Sequence, residues 1–310
     1  MSIFLWNSEP SKIFVWDTAV SAVYVWDTKV RPTVIPYLCF TADTVGSTVR
    51  LKKNYSPTSV TLETSLDGNN WTTYTFNTDI TLSNVWDMVY RRNTSETDTW
   101  FSPSSRDYYQ FIITGSVSAS GDINYLLNKN STNTLSAYCY YNLFKDCTGL
   151  TAAPELPATT LGEGCYSSMF NWCSWLTTPP VLPATTLAAG CYEYMFTSSW
   201  LTTVPELPAT TLASSCYYSM FQRCSSLTSL PKIYATAFSS LCCYRMFNLC
   251  SNIKLSSTQT WDYQTAYRIP ISWTGSGESN SLNDMFRSTW WTFKGTPSMN
   301  TTYYTSNTVV

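Results

Sequence analysis

Hydrophobic and polar positions follow three different rhythms along this chain. The first thirty residues repeat with a period of ten. Ile3-Phe4-Leu5-Trp6-Asn7, Ile13-Phe14-Val15-Trp16-Asp17 and Val23-Tyr24-Val25-Trp26-Asp27 align without gaps. Each repeat is a β-branched or aromatic run, a turn-like dipeptide and then polar residues, which predicts three short strands with tight turns. Three such strands bury too little surface to stand alone. Residues 1–34 are therefore read as an attachment segment, ended by Arg31-Pro32 and Pro36. Residues 35–128 alternate or are β-rich, as in Ser59-Val60-Thr61-Leu62-Glu63-Thr64 and Tyr109-Gln110-Phe111-Ile112-Ile113. Asp67-Gly68-Asn69-Asn70 is a hairpin turn signal. This stretch predicts a small β-sandwich.

From 129 to 255 the chain repeats every 25 or 26 residues, with starts at Leu135, Leu161, Leu187, Leu212 and Phe238. The consensus is L-x-x-x-C-Y-x-x-M-F-x-x-C-x-x-L-T-x-x-P-x-L-P-A-T-T. A fixed period in this range predicts stacked units, each covering its neighbour's apolar face. Leu212, Cys216, Met220 and Cys224 fall at i, i+4, i+8 and i+12 with Phe221 beside them, which reads as one face of a helix. Thr211 is its expected N-cap, and Thr160 with Glu163 forms a capping box. Leu227-Thr228-Ser229-Leu230 is expected as a short strand ended by Pro231. The core of each unit is then Leu161, Cys165, Met169, Phe170, Cys173 and Leu176, and in the fourth unit Leu212, Cys216, Met220, Phe221, Cys224 and Leu227. In the third unit one residue is missing between Phe196 and Leu201, and Ser198 or Ser199 stands where a Cys would be. After Leu255 the period fails, apart from an echo at Met285-Phe286. Residues 256–310 are the candidate polar end cap.

This region resembles the leucine-rich repeats of the BspA-like type, with their aromatic, Cys and Leu-Thr strand. The resemblance implies a curved solenoid used for binding rather than chemistry. The expected fold is thus mixed: an N-terminal all-β region followed by an α/β leucine-rich-repeat solenoid.

Composition narrows the chemistry. The 310 residues carry no His, which excludes Ser-His-Asp triads, Cys-His pairs and His-ligated metals. With no phosphate loop or G-x-S-x-G either, an enzyme is not expected, nor a cofactor. Charged residues are 12% and the net charge is -2, which leaves no footprint for nucleic acid. No apolar run approaches a bilayer span, and Met1 to Pro10 lack the pattern of a signal peptide. Among the 11 Cys, four pairs share one spacing: Cys139/Cys147, Cys165/Cys173, Cys216/Cys224 and Cys242/Cys250. C-x-x-C knuckles are missing, so no metal is expected. The thiols are read as a ladder of buried small hydrophobes. The Tyr column of Tyr140, Tyr166, Tyr192 and Tyr217 is read as partly buried packing.

Trp occurs 13 times and Gly only 11 times, where roughly 22 Gly would be usual. Trp6, Trp16, Trp26, Trp86 and Trp261 precede Asp or Asn, where a tight turn wants glycine. A column of the repeats reads Gly149, Trp175, Trp200, Ser226, Asn252, and Trp290-Trp291 stands like a Gly-Gly. These positions suggest a gene whose UGA codons are read as glycine by its own genetic code and as tryptophan here. Trp71 alone reads as an ordinary strand Trp. The rival reading is functional, with Trp175 and Trp200 as an aromatic binding column and Glu155 and Glu206 at a neighbouring strand end.

With glycine restored, the first thirty residues resemble N-terminal segments of structural proteins of gut bacteriophages, such as tail-fibre or head-decoration proteins. That resemblance implies a virion protein: the N-terminal segment meets other virion proteins, and the repeats meet a host-surface glycan or protein. It also suggests a trimer. The alternative is a BspA-like adhesin on a bacterial cell surface.

Overall fold

A computed structural model describes residues 23–25, 28–30, 36–55, 60–98, 100–130, 132–271, 276–278, 280–289 and 293–310. The chain divides into two compact units, 1–36 and 37–310. In the first, β1 (Val23–Val25) and β2 (Thr28–Val30) pair antiparallel, with Val23 opposite Val30. The first two ten-residue repeats lie outside the described residues.

The second unit opens with two sheets. One is built from β3 (Leu38–Ala42), β5 (Leu62–Ser65), β6 (Thr72–Thr73), β8 (Met88–Asn93), β10 (Val117–Ser120) and β11 (Leu150–Ala152), in the order β11-β10-β3-β8-β5-β6. The other contains β4 (Ser47–Asn54), β7 (Ile80–Leu82) and β9 (Tyr108–Thr114), in the order β7-β4-β9. Alternate residues point inward: Val49 and Leu51 are buried, whereas Thr48 and Arg50 are not. Phe40 of the first sheet meets Phe111 of the second edge-on at 4.8 Å, so the two sheets enclose one core.

The repeats follow from that core without a break. Phe111 stacks on Phe144 of the first repeat at 5.1 Å. Above it Phe170, Phe196, Phe221, Phe247 and Phe286 continue the column at 5.4 to 5.7 Å. Tyr140, Tyr166, Tyr192 and Tyr217 form a second column at 5.9 to 6.0 Å. The tyrosines are fully buried, not partly so as the sequence suggested.

The α/β leucine-rich-repeat solenoid is not the fold. Among the described residues there is no α-helix, and the one helical element is a 3-10 turn at Ile123–Leu126. The segments expected as helices are ribbons of overlapping turns. In the second repeat, Cys165, Ser167, Met169, Asn171 and Cys173 each donate their N–H to the carbonyl three residues back. Between them, Gly164, Tyr166, Ser168, Phe170 and Trp172 donate theirs to the next repeat. Odd and even residues thus split the hydrogen bonds between turn and stack. Every fourth residue is left-handed: Tyr138, Asn142 and Asp146 in the first repeat, then Gly164, Ser168 and Trp172 in the second.

The spacing explains why. An α-helix turns 100° per residue, so positions four apart drift by about 40° per step and by about 120° over three steps. A strict spacing of four keeps Cys165, Met169 and Cys173 on one line only in a ribbon that repeats every four residues. Cys, Tyr, Ser and Asn are also weak helix formers, and Ser and Asn favour turns. The expected caps have other duties. Thr160 bridges in parallel to Thr134 and Thr186, and Thr211–Leu212 pairs with Ala237–Phe238. The strand expected at 227–230 is reduced to Ser229–Leu230, which pairs with Thr308–Val309.

Beyond Leu255 the chain leaves the stack and returns to it. Thr265–Ile269 and Leu255–Ser256 pair antiparallel with Thr301–Thr305. Residues 281–287 then form a sixth rung: Cys243, Arg245, Phe247 and Leu249 donate to Ser281, Asn283, Met285 and Arg287.

Candidate functional site

The core residues read from the repeats are all buried: Leu161, Cys165, Met169, Phe170, Cys173, Leu176, Leu212, Cys216, Met220, Phe221, Cys224 and Leu227. All eleven cysteines are free and buried. Their thiols carry a hydrogen-bond ladder between units. Cys147, Cys173, Cys224 and Cys250 donate to the carbonyls of Phe111, Phe144, Phe196 and Phe221 at 2.9 to 3.1 Å. Ser199 fills the vacant place in the third unit, fully buried, and donates to Phe196 of its own unit at 2.8 Å. Burial pushes the thiols up, Cys39 to about 11 and Cys139, Cys191 and Cys224 to about 12. A thiol held protonated is a poor nucleophile and a poor metal ligand. Among the described residues no group of His, Cys, Asp and Glu is placed to hold a metal ion. None of their helices is long and apolar enough to cross a membrane.

Trp175 and Trp200 stand on successive units, 49% and 55% exposed, and Trp172 is 50% exposed. Among the described residues neither Trp175 nor Trp200 stacks on another ring. Glu155 and Glu206 are also exposed, and the groove that Glu155 lines includes none of the tryptophans. Glu155 lines this proline-rich groove with Pro154, Pro157, Pro179, Pro180 and Val181. Its backbone ties the sheets to the stack, accepting from Ile123 at 3.2 Å and donating to Gly121 at 2.9 Å.

Of the suspected glycine positions, Trp86 has φ of 72°, the left-handed region that glycine favours, and Trp172, which the sequence reading did not single out, has φ of 63°. Trp175, Trp200 and Trp261 are not left-handed. Trp71 meets Tyr37 edge-on at 5.1 Å and carries the Arg92 guanidinium over its ring at 3.9 Å. Trp6, Trp16, Trp26, Trp290 and Trp291 lie outside the described residues.

The structure brings together another group that the sequence reading passed over. A cavity of about 400 Å³ opens on the turn side of the repeats. Tyr138 and Tyr141 of the first unit and Tyr194 of the third are its aromatic walls, and Ser214 and Ser215 of the fourth unit extend the lining. Between the walls lie Gly164, Ser167 and Ser168 of the second unit and Gly190 of the third. Two carboxylates face this space. Glu163 accepts from the Tyr138 hydroxyl at 2.8 Å, which pushes the Tyr138 phenol up. Glu193 is partly buried, and desolvation pushes its carboxyl up. No hydrogen bond or ion pair to its carboxylate is found among the described residues.

One column of the repeat signals the cavity. It reads Tyr138, Gly164, Gly190, Ser215, Leu241, and all five are left-handed, with φ of 54° to 60°. The backbone accepts Tyr, Ser and Leu at this position. Glycine in the two middle units therefore serves to remove side chains. At Gly164 a Cβ would lie 2.7 Å from the Tyr138 ring, and at Gly190 it would lie 3.3 Å from Glu193 Oε2. Comparison with family models, curated proteins and solved structures finds no match for this chain.

Proposed function

We propose that the chain is a non-catalytic binding and display protein, a component of a phage particle whose stacked repeats face a host-surface glycan or protein. The observation that carries this reading is the division of labour in the repeats. The thiols are sealed inside as packing, whereas the turn side presents half-buried tyrosine rings around an open cavity. Concave sites with aromatic walls and a few polar groups are the usual form of ligand sites. Placement on a virion rests on the ten-residue repeats of 1–34 and their resemblance to phage structural proteins.

Two measurements test it. Mass spectrometry of purified particles should find the chain, and purified full-length chain should bind intact host cells saturably. Particles without the chain would remove the virion assignment. Failure to bind cells that the particles adsorb to would remove the receptor-binding role.

A further inference from the structure

We infer that the cavity between Tyr138 and Tyr194 is a saccharide subsite selective for neutral, hydroxyl-rich pyranose units over acidic ones. This rests on the binding function proposed above and names its site and ligand class.

The argument begins with what the cavity floor withholds. Gly164 and Gly190 donate their N–H groups to Ala189 and Ser214, and Ser168 donates to the Glu193 carbonyl. The Gly164 and Gly190 carbonyls accept from Ser167 and Glu193. An extended peptide would therefore find no free backbone edge to pair with. The floor is small and polar, so an apolar anchor finds no pocket either.

What remains is aromatic walls and carboxylate acceptors. The walls stand two repeat steps apart, each step 5.9 Å in the buried tyrosine column. Ring faces pack against the C–H faces of a pyranose, and carboxylates accept from its hydroxyls. Glu163 uses one bond on Tyr138, and the Glu193 carboxylate is left for a ligand. Charge decides the class. Both titratable groups in the cavity besides tyrosine are carboxylates, no Lys or Arg lines it, and Arg245, whose charge reaches Tyr194, is paired with Asp284 at 3.5 Å. A sialic acid or uronic acid would meet like charge and no cation in the lining.

The test is a glycan array probed with the full chain, including neutral, sialylated, uronate-bearing and sulfated oligosaccharides, alongside binding to host cells. Two variants accompany it. Gly190→Leu fills the cavity with the residue that Leu241 already holds at φ 55° in the same column. Glu193→Gln keeps shape and removes charge. The expected result is binding to neutral pyranose glycans, weakened at least tenfold by each variant, with an unfolding midpoint unchanged in Glu193→Gln and lowered in Gly190→Leu only by the cost of a Cβ in the left-handed region. Preference for acidic glycans would overturn the proposal, as would wild-type affinity in both variants. Cell binding without any neutral-glycan binding would overturn the subsite and leave the broader binding function standing. Loss of both would overturn the function itself.

Discussion

The Cys173 thiol donates to the Phe144 carbonyl oxygen of the preceding unit at 3.0 Å. The same bond recurs from Cys224 to Phe196 and from Cys250 to Phe221. One side chain thus fills a core position and ties two units together. The third unit departs from the pattern, because Ser199 turns its hydroxyl back to Phe196 of its own unit.

Ser199→Cys should therefore be stabilising. The site is fully buried, the larger sulfur adds apolar contact, and the Phe170 carbonyl offers the acceptor used in the other units. A gain of about 0.5–1 kcal/mol is expected, in the range of ordinary cavity-filling changes. Urea unfolding under reducing conditions measures it. A lower midpoint with unchanged slope would mean that the column does not accept sulfur here.

Alkaline pH should destabilise the protein early. Burial raises the thiols from the ordinary 9.0, Cys39 to about 11 and Cys139, Cys191 and Cys224 to about 12. The unfolded chain releases these protons first. The stability is thus fully present below about pH 9 and declines as pH rises toward 12. Each such group contributes about 1.4 kcal/mol per pH unit across that window. Melting temperatures from pH 7.5 to 10.5 in a reducing buffer should fall steeply above pH 9. A flat profile would show that the thiols titrate normally and are accessible.

Arg91 is a different kind of strain. It is fully buried on β8, and among the described residues none of its three guanidinium nitrogens has a hydrogen-bond partner. Among the described residues its compensation is the Tyr74 ring at 3.9 Å, and burial pushes its pKa down to about 10. An unpaired buried charge costs more than such a contact returns. Arg91→Met keeps the volume and removes the charge, and should raise stability by about 1–4 kcal/mol. A destabilised Arg91→Met in urea unfolding would mean that the guanidinium is held by bonds this packing does not contain.

The legible part of the fold was its period. Spacing of 25 or 26 residues placed Tyr140 over Tyr166 and Phe170 over Phe196, which is how they stack. The local geometry was misread because apolar residues at i, i+4 and i+8 fit a short helix and a four-residue turn ribbon about equally well. The difference between 3.6 and 4.0 shows only over three or more turns. Phe111 was not legible as a rung, because it precedes Phe144 by 33 residues rather than by one period. The cavity stayed hidden because its defining positions, Gly164 and Gly190, share a column with Tyr138 and Leu241. Nothing in a list of such unlike residues marks it as left-handed until the backbone is seen.

The left-handed tryptophans carry the last prediction. Trp86 is the third residue of the turn Asn84–Asp87, closed by the Asp87 N–H to the Asn84 carbonyl at 3.2 Å, with φ 72°. Trp172 holds the same place in the turn Phe170–Cys173, with φ 63°. For a residue with a Cβ the left-handed region costs roughly 1–2 kcal/mol, and turns of this kind select glycine or asparagine. Trp86 is 61% exposed and Trp172 is 50% exposed, so neither ring recovers that cost fully by burial. Trp86→Gly and Trp172→Gly should each raise stability by about 1 kcal/mol, after allowing for glycine's extra unfolded-state entropy. Trp71→Gly should lower it, because the Tyr37 and Arg92 contacts go with the indole. Intact mass of the protein from its native source decides what this means. A mass lighter by several indole side chains would show that glycine occupies these turns in the native chain. A mass that fits all 13 tryptophans would show that the strain is kept, and would make Trp172, Trp175 and Trp200 the first residues to replace in a cell-binding assay.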